Sequence, residues 1–231
     1  MSNAIIITGG GIGSRMHSDI PKQFIEIAGK PIISYTIDLF YQFDKDIVLV
    51  VVIPKGFKEL WFKLQKKYFP GESILHIEGG NSRFESVKKG LSLLNKNMII
   101  GVHDAVRPMV SLEVITRCYE TAARKGNAVP VIPVNESFRK TDGEKNYALG
   151  RESLRIVQTP QVFNGELLIK AYSMPYEPVF TDDSTVVEKL GTEINLVQGN
   201  PENIKITTPF DLIIAENYLK AGSSYSFRSS S

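Results

Sequence analysis

The run Ile47–Ile53 (IVLVVVI) constrains the fold more than any other stretch, because every residue in it is apolar and most are β-branched. A strand with no polar face has to be covered on both sides. Strands of that kind belong to parallel sheets with helices packed on each face. Shorter segments repeat the signal. Strands are expected at Ala4–Thr8, Ile74–Glu78, Met98–Val102, Ala128–Ile132, Ile194–Gln198 and Asn203–Thr207. Helices are expected between them. Pro31 opens one that carries Ile33, Ile37 and Phe40 on one face, and Leu60, Trp61, Leu64 and Tyr68 stripe a second. Ser82 with Glu85 reads as a capping box, Ser111 as a cap, Thr181 as the cap of a helix that stops at Gly191, and Thr208-Pro209 as the last start. Strands alternating with helices imply βαβ units and a Rossmann-like, predominantly parallel α/β sheet.

One stretch breaks the alternation. Residues 134–157 are polar and centred on Thr141-Asp142-Gly143. Asp-Gly is a strong hairpin signal, so this reads as a β-hairpin arm that leaves the globule and returns. No repeat or linker interrupts residues 1–221, which read as one domain, and 222–231 (GSSYSFRSSS) read as a disordered tail. Net charge is +2, too small to argue for nucleic acid or a membrane surface, so any anion must be met by a local cluster of cations. No apolar run is long enough to span a bilayer, and MSNAIIITGG lacks the basic start of a signal peptide. The lone Cys118 excludes an internal disulfide and a Cys-rich zinc site. These features fit a cytoplasmic protein.

The first expected strand runs into Gly9-Gly10-Gly11-Ile12-Gly13-Ser14-Arg15-Met16. Glycines there let backbone N–H groups approach an anion, at the strand end where open α/β sheets bind ligands. The loop is not a P-loop, since no Gly-Lys-Ser/Thr follows, and the dinucleotide spacing G-x-G-x-x-G fails at Ser14 and at Met16. It carries its own cations instead, Arg15 and Lys22, which suit a triphosphate. A second cluster is His103-Asp104-Ala105-Val106-Arg107-Pro108. Asp104 at a strand end is able to hold Mg²⁺ between phosphate oxygens, or Arg107 simply neutralises it. His103 reads as a packed histidine. Lys205 lies inside Asn203–Thr207, an otherwise buried-looking strand, and a buried lysine calls for an anion beside it. Thr181-Asp182-Asp183 opens a helix, and Arg151 and Arg155 on the arm read as a solvated face. No Ser-His-Asp triad, nucleophilic cysteine or glycosidase carboxylate pair is present in the pattern.

Taken in order, these segments resemble the 2-C-methyl-D-erythritol 4-phosphate cytidylyltransferase family of the non-mevalonate isoprenoid pathway. The matching residues are Gly10-Gly11-x-Gly13-x-Arg15-Met16 with Pro21-Lys22-Gln23, Gly79-Gly80-x-x-Arg83-x-x-Ser86-Val87, and His103-Asp104-Ala105-x-Arg107-Pro108. They continue through Gln158-Thr159-Pro160-Gln161-x-Phe163, Thr181-Asp182-Asp183 and Asn203-Ile204-Lys205-Ile206-Thr207. The resemblance implies a homodimer whose hairpin arms embrace, with CTP and a polyol phosphate as substrates and Mg²⁺ as cofactor. It implies CTP phosphates on Gly10, Gly11, Gly13, Arg15 and Lys22, cytidine by Gly80, Arg83, Ser86 and Ala105, and metal at Asp104. The sugar phosphate would meet Arg107, Ser137, Arg151, Thr181, Asp182 and Lys205. Arg15, Lys22 and Lys205 would be the catalytic cations. The chain departs from the family pattern at Thr8, His17, Asn81 and Ser137, and none of these removes a charged group.

The chemistry is consistent with that resemblance. A phosphate monoester with a second pKa of ~6 is largely ionised near neutrality and needs no protein base to attack. What the reaction needs is positive charge around the α-phosphorus and the departing pyrophosphate. A cytidylyltransferase for a pentitol phosphate such as ribitol 5-phosphate is the nearest alternative. A dinucleotide-dependent oxidoreductase and a noncatalytic nucleotide-binding protein are more distant ones.

Overall fold

The computed structural model describes residues 1–9 and 20–222. In chain order, β1 (Ser2–Thr8) comes before a 3-10 turn at Lys22–Phe24, and β2 (Glu26–Ile27) and β3 (Lys30–Pro31) form a small antiparallel ribbon. Then come α1 (Ile32–Phe43), β4 (Val48–Ile53), α2 (Lys58–Tyr68), β5 (Leu75–Glu78), α3 (Arg83–Leu91), β6 (Met98–Asp104), α4 (Leu112–Lys125) and β7 (Asn127–Pro133). The polar stretch forms β8 (Phe138–Asp142), β9 (Lys145–Leu149) and β10 (Arg155–Val157). The chain ends with β11 (Gln161–Asn164), α5 (Gly165–Tyr172), α6 (Asp183–Glu188), β12 (Leu196–Gln198) and α7 (Pro209–Gly222).

Among the described residues the main sheet has eight strands in the order β10-β7-β11-β6-β1-β4-β5, with β12 joined to β7. β1 pairs parallel with β4 and β6, and β4 with β5. β10 and β11 run antiparallel to their neighbours. The fold is therefore the expected mostly parallel sheet between helices. Alternate residues of the central strands feed the two layers. Ile5, Ile7, Leu49, Val51 and Ile53 pack with Ile37 and Phe40 of α1, Trp61 of α2 and Ile115 of α4. Ala4, Ile6, Val50 and Val52 pack with Val87 of α3, Leu168 of α5 and Val186 of α6. Each fully buried Val or Ile contributes roughly 1.5–3 kcal/mol, which explains why β1 and β4 tolerate no polar face.

Two glycines let other atoms come close to the sheet. A Cβ on Gly90 would lie 2.9 Å from Ile6 Cγ2, so α3 sits directly on β1. A Cβ on Gly101 would lie 2.6 Å from the Tyr119 hydroxyl, which crosses β6 to donate to the Ala4 carbonyl at 2.7 Å.

The hairpin turns where the sequence places it, but the arm is shorter than the expected 134–157: Val134 is buried, and Arg155–Val157 rejoin the main sheet beside β7. β8 and β9 pair from Phe138↔Leu149 to Asp142↔Lys145, and Gly143 turns the chain at φ 56°. Every residue of both strands is exposed.

Several local expectations are corrected. Asn203–Thr207 is not a strand: Ile206 N–H reaches the Val106 carbonyl, but Thr207 N–H and Thr208 N–H both donate to the Asp211 carboxylate. With those donors taken by a side chain, no ladder forms. The cap of α6 is Asp182 rather than Thr181, accepting from Thr185 N–H at 2.9 Å, and the helix ends at Glu188, ahead of Gly191. Ser82 caps α3 by accepting from Glu85 N–H, while the Glu85 carboxylate accepts from Asn81 N–H at 2.7 Å, so the box is not reciprocal. β10, β11 and α5 were not expected. Of residues 222–231, read as a disordered tail, Gly222 is the end of α7 and 223–231 lie outside the described residues. No helix among the described residues is long and apolar enough to cross a membrane.

Candidate active site

Parallel strands β1, β4 and β6 end on the same side of the sheet. Thr8 pairs with Asp104 in register, Gly9 N–H donates to Val52 O, and Gly79 N–H donates to Ile53 O. A cavity of about 270 Å³ opens over these strand ends. Its floor is Thr8, Gly9 and Asp104, one wall is Gly80, Asn81, Ser82, Arg83 and Ser86, and the other is Lys22, Gln23, Val106 and Lys205. A ligand site outside the carboxyl ends of the strands is what an open α/β sheet offers.

Asp104 lies at the centre. Lys205 Nζ approaches its Oδ2 at 3.0 Å, Arg107 Nε the same oxygen at 3.3 Å, and Arg83 Nε its Oδ1 at 3.8 Å. Burial alone would push this carboxyl up. Arg83, Lys205 and Arg107 outweigh burial and hold it well below the usual carboxylate range. The expectation that an anion stands beside Lys205 is met by Asp104, and the possibility that Arg107 neutralises Asp104 is realised together with two further cations. Lys22 Nζ donates to the Ile206 carbonyl at 3.1 Å, which brings it beside the Lys205 segment. With Lys22, Arg83, Arg107 and Lys205 against Asp104 and Asp183, the local balance is positive.

Arg83 is fixed from behind. Its guanidinium makes a two-pronged bond to Asp183, at 2.9 and 2.6 Å, and the Tyr172 hydroxyl donates to the same carboxylate at 2.6 Å. Asp183 is fully buried. Burial would lower the Arg83 pKa, but Asp183 outweighs it and keeps the guanidinium charged. Asp183 and Tyr172 were not foreseen as site residues; the second carboxylate of Thr181-Asp182-Asp183 was the available signal, but its partner lies a hundred residues away. Gln23, too, lines the cavity, and its amide nitrogen donates to the Gly9 carbonyl.

The wall opposite Lys205 is a fixed turn. Gly80 N–H donates to Ser86 Oγ at 3.1 Å, and Ser86 Oγ–H donates to the Ser82 carbonyl at 2.9 Å. Ala105, fully buried, follows Asp104 and ties back to β1 through its N–H to Thr8 O at 3.0 Å. His103 is buried as expected for a packed histidine, and burial pushes its pKa down to about 4.

The expected site residues therefore divide. Lys22, Gly80, Arg83, Ser86, Asp104 and Lys205 line one cavity, with Arg107 and Ala105 against Asp104. Ser137, Arg151 and Thr181 are exposed and are not among the residues lining it. Arg151 donates to the Asn135 carbonyl at the root of the arm. Asp182 is engaged in capping α6 and accepting from Gln161 at 2.8 Å. Gly10, Gly11, Gly13 and Arg15 lie outside the described residues.

Comparison with known proteins agrees with this geometry. The family model described as "IspD: 2-C-methyl-D-erythritol 4-phosphate cytidylyltransferase" matches residues 3–221. A Bacteroides thetaiotaomicron protein of that name is 43% identical over 219 residues, covering 95% of this chain and 100% of that protein. One from Phocaeicola vulgatus is 46% identical over 216 residues, covering 94% and 99%. The crystal structure of the enzyme of that name from Thermus thermophilus superposes with a TM-score of 0.77 at 30% identity, covering 95% of this chain and 100% of that one. A 4-diphosphocytidyl-2C-methyl-D-erythritol synthase from Anaerococcus prevotii gives 0.80 at 26%, covering 95% and 96%. The match spans the strand ends, the cation-lined cavity and the arm alike, and the chain belongs to the 2-C-methyl-D-erythritol 4-phosphate cytidylyltransferase family.

Proposed function

We propose that this chain joins CTP and 2-C-methyl-D-erythritol 4-phosphate to give 4-diphosphocytidyl-2-C-methyl-D-erythritol and pyrophosphate. The observation that carries the reading is the convergence of Lys22, Arg83, Arg107 and Lys205 around Asp104 at the strand ends, in a chain of this family. Two polyanions have to meet there, and each would be repelled by the other without that charge.

In the step itself, an oxygen of the substrate phosphate forms a bond to the α-phosphorus of CTP in line with the leaving group. The bond from the α-phosphorus to the bridging oxygen breaks, and pyrophosphate leaves with the electron pair. No proton has to be removed from the attacking phosphate, since a phosphate monoester is largely ionised near neutrality. Lys22 and Arg15 would neutralise the triphosphate, Gly80 and Ser86 would border the cytidine, and Arg107 with Lys205 would receive the second phosphate. Asp104 fits a divalent ion that arrives with the nucleotide. Oδ2 is taken by Lys205 and Arg107, Oδ1 has Arg83 no nearer than 3.8 Å, and Mg²⁺ commonly takes one protein carboxylate plus phosphates and water. When bound, such an ion supplies further positive charge at the phosphate oxygens.

A homodimer belongs to the same proposal. Every residue of β8 and β9 is exposed and none belongs to the buried clusters of the chain, and a lone two-stranded hairpin is marginal in water. A second copy would cover it and bring Arg151 to the partner's cavity. A cytoplasmic setting is also part of the reading, supported by the buried free thiol of Cys118. The test is pyrophosphate release from CTP with a panel of polyol phosphates. Methylerythritol phosphate should be turned over far faster than ribitol 5-phosphate. Preference for the pentitol phosphate would replace this substrate assignment, and release with neither would remove the function.

A further inference from the structure

His103 is a fully buried histidine just before Asp104, and both of its ring nitrogens are engaged. Nε2 lies 3.1 Å from the Arg107 carbonyl and Nδ1 lies 3.0 Å from Thr159 Oγ1. Its ring packs against that of Phe40 in a T-shaped contact, with centroids 5.3 Å apart at 70°. A carbonyl only accepts, so Nε2 carries the ring proton. In the neutral ring Nδ1 is then an acceptor, and the Thr159 hydroxyl donates to it. That leaves a Thr159 lone pair for the Asp104 N–H, which reaches it at 3.1 Å. The chain of bonds runs from the Asp104 amide through Thr159 and the imidazole to the Arg107 carbonyl. It spans the turn that Arg107 N–H closes on Asp104 O at 3.1 Å.

We propose that His103 is a positioning residue that sets the two ends of this turn separately. Through Thr159 it fixes Asp104, on the nucleotide side of the cavity. Through the Arg107 carbonyl it fixes the residue whose guanidinium serves the second phosphate, and which is itself held by Asn203 O at 2.7 Å. The inference rests on the proposed function for naming the two sides. His103 touches neither substrate; it acts through Asp104 and Arg107.

Two substitutions separate the halves. In His103→Gln the side-chain amide reaches where Nε2 was and still donates to the Arg107 carbonyl, but the Thr159 proton loses its acceptor. In His103→Asn the amide oxygen reaches where Nδ1 was and accepts from Thr159, but the Arg107 carbonyl loses its donor. His103→Gln should raise KM for CTP about three- to tenfold with KM for the polyol phosphate little changed, and His103→Asn the reverse, at the scale of one lost hydrogen bond each. Thr159→Val should behave as His103→Gln, and Thr159→Ser as wild type. Folded variants with both KM values unchanged, or raised together, would overturn the proposal. Should the position-103 variants fail to fold, the Thr159 pair decides in the same way. A second readout needs no turnover: nitrogen-15 spectra of the full chain labelled at its three histidines, with His103 assigned by its loss in the glutamine variant. A protonated Nε2 with a bare Nδ1 is expected, and a protonated Nδ1 would overturn the inference whatever the activity. Absent pyrophosphate release in wild type alongside the expected tautomer would count against the proposed function and leave His103 in place.

Discussion

Asp104 and His103 are neighbours on one strand, yet burial acts on them to opposite effect because their surroundings differ. Asp104 has cations within salt-bridge distance on both oxygens and stays ionised. His103 has none bonded to its ring and is pushed down to about 4. The consequence for stability has a definite sign. Above a pKa of about 6.5, the unfolded value, His103 is neutral in both states and contributes fully. As pH falls from there toward about 4, the unfolded chain binds a proton that the folded chain refuses, and stability drops. The loss at about pH 5 is about 2 kcal/mol. The depressed Asp104 acts mostly lower, from about pH 5 downward, so at about pH 5 the loss is almost all that of His103. Urea midpoints of the ligand-free protein at about pH 7.5 and about pH 5 should therefore diverge more for wild type than for His103→Gln. Parallel behaviour would show that the imidazole is not held neutral. At this scale Asp104 and Lys22 were legible because a charge at a strand end or just after a glycine loop stands out in a sequence, and Lys205 because a lysine between two isoleucines does. Asp183 and Tyr172 were not, since a partner's identity depends on which distant segments the fold brings together.

Elements with one strong local signal were read correctly. The unbroken apolar run of β4 admits only a doubly covered strand, and Ser111 before Val114 and Ile115 admits little but a helix start. β11 was missed because it is four residues long with polar ends. Its Val162 and Phe163 face opposite layers, while Gln161 and Asn164 bond to the starts of α6 and α5. Asn203–Thr207 was misread because Ile204 and Ile206 alternate like a strand, whereas Asp211 had already claimed the donors that follow. The close contact at Gly101 is likewise invisible without Tyr119 of α4 in place. Gly101→Ala should cost about 1–3 kcal/mol, since its Cβ would sit 2.6 Å from the Tyr119 hydroxyl and 2.8 Å from Ile5 Cδ1. Adding Tyr119→Phe, which removes the nearer atom, should make the pair less costly than the sum of the two changes. Denaturant midpoints measure both, and wild-type stability for Gly101→Ala would mean that α4 and β6 are less tightly apposed.

For the whole molecule, no residue of the arm is among the described residues that line the cavity. Lys22 lines the cavity, while Arg151 stands on the exposed excursion. If two copies exchange arms, each site combines Lys22 of one with Arg151 of the other. Homodimers of Lys22→Ala and of Arg151→Ala should both be impaired, whereas a dimer of one with the other carries both lesions in one site and neither in the second. Random reassortment makes half of the dimers mixed, so co-refolding should restore about a quarter of wild-type activity. No gain over the same variants mixed without unfolding, with subunit exchange verified, would place each site within one chain. The larger claim is that this cluster of cations transfers a cytidylyl group, and the fate of the phosphorus atoms tests it most directly. CTP labelled at either the α- or the γ-phosphorus is incubated with methylerythritol phosphate and the wild-type protein. The account predicts that the α-label enters the sugar product and the γ-label leaves as pyrophosphate, in equal amounts. Release of the γ-label as inorganic phosphate, or recovery of the α-label in CMP or CDP, would contradict it.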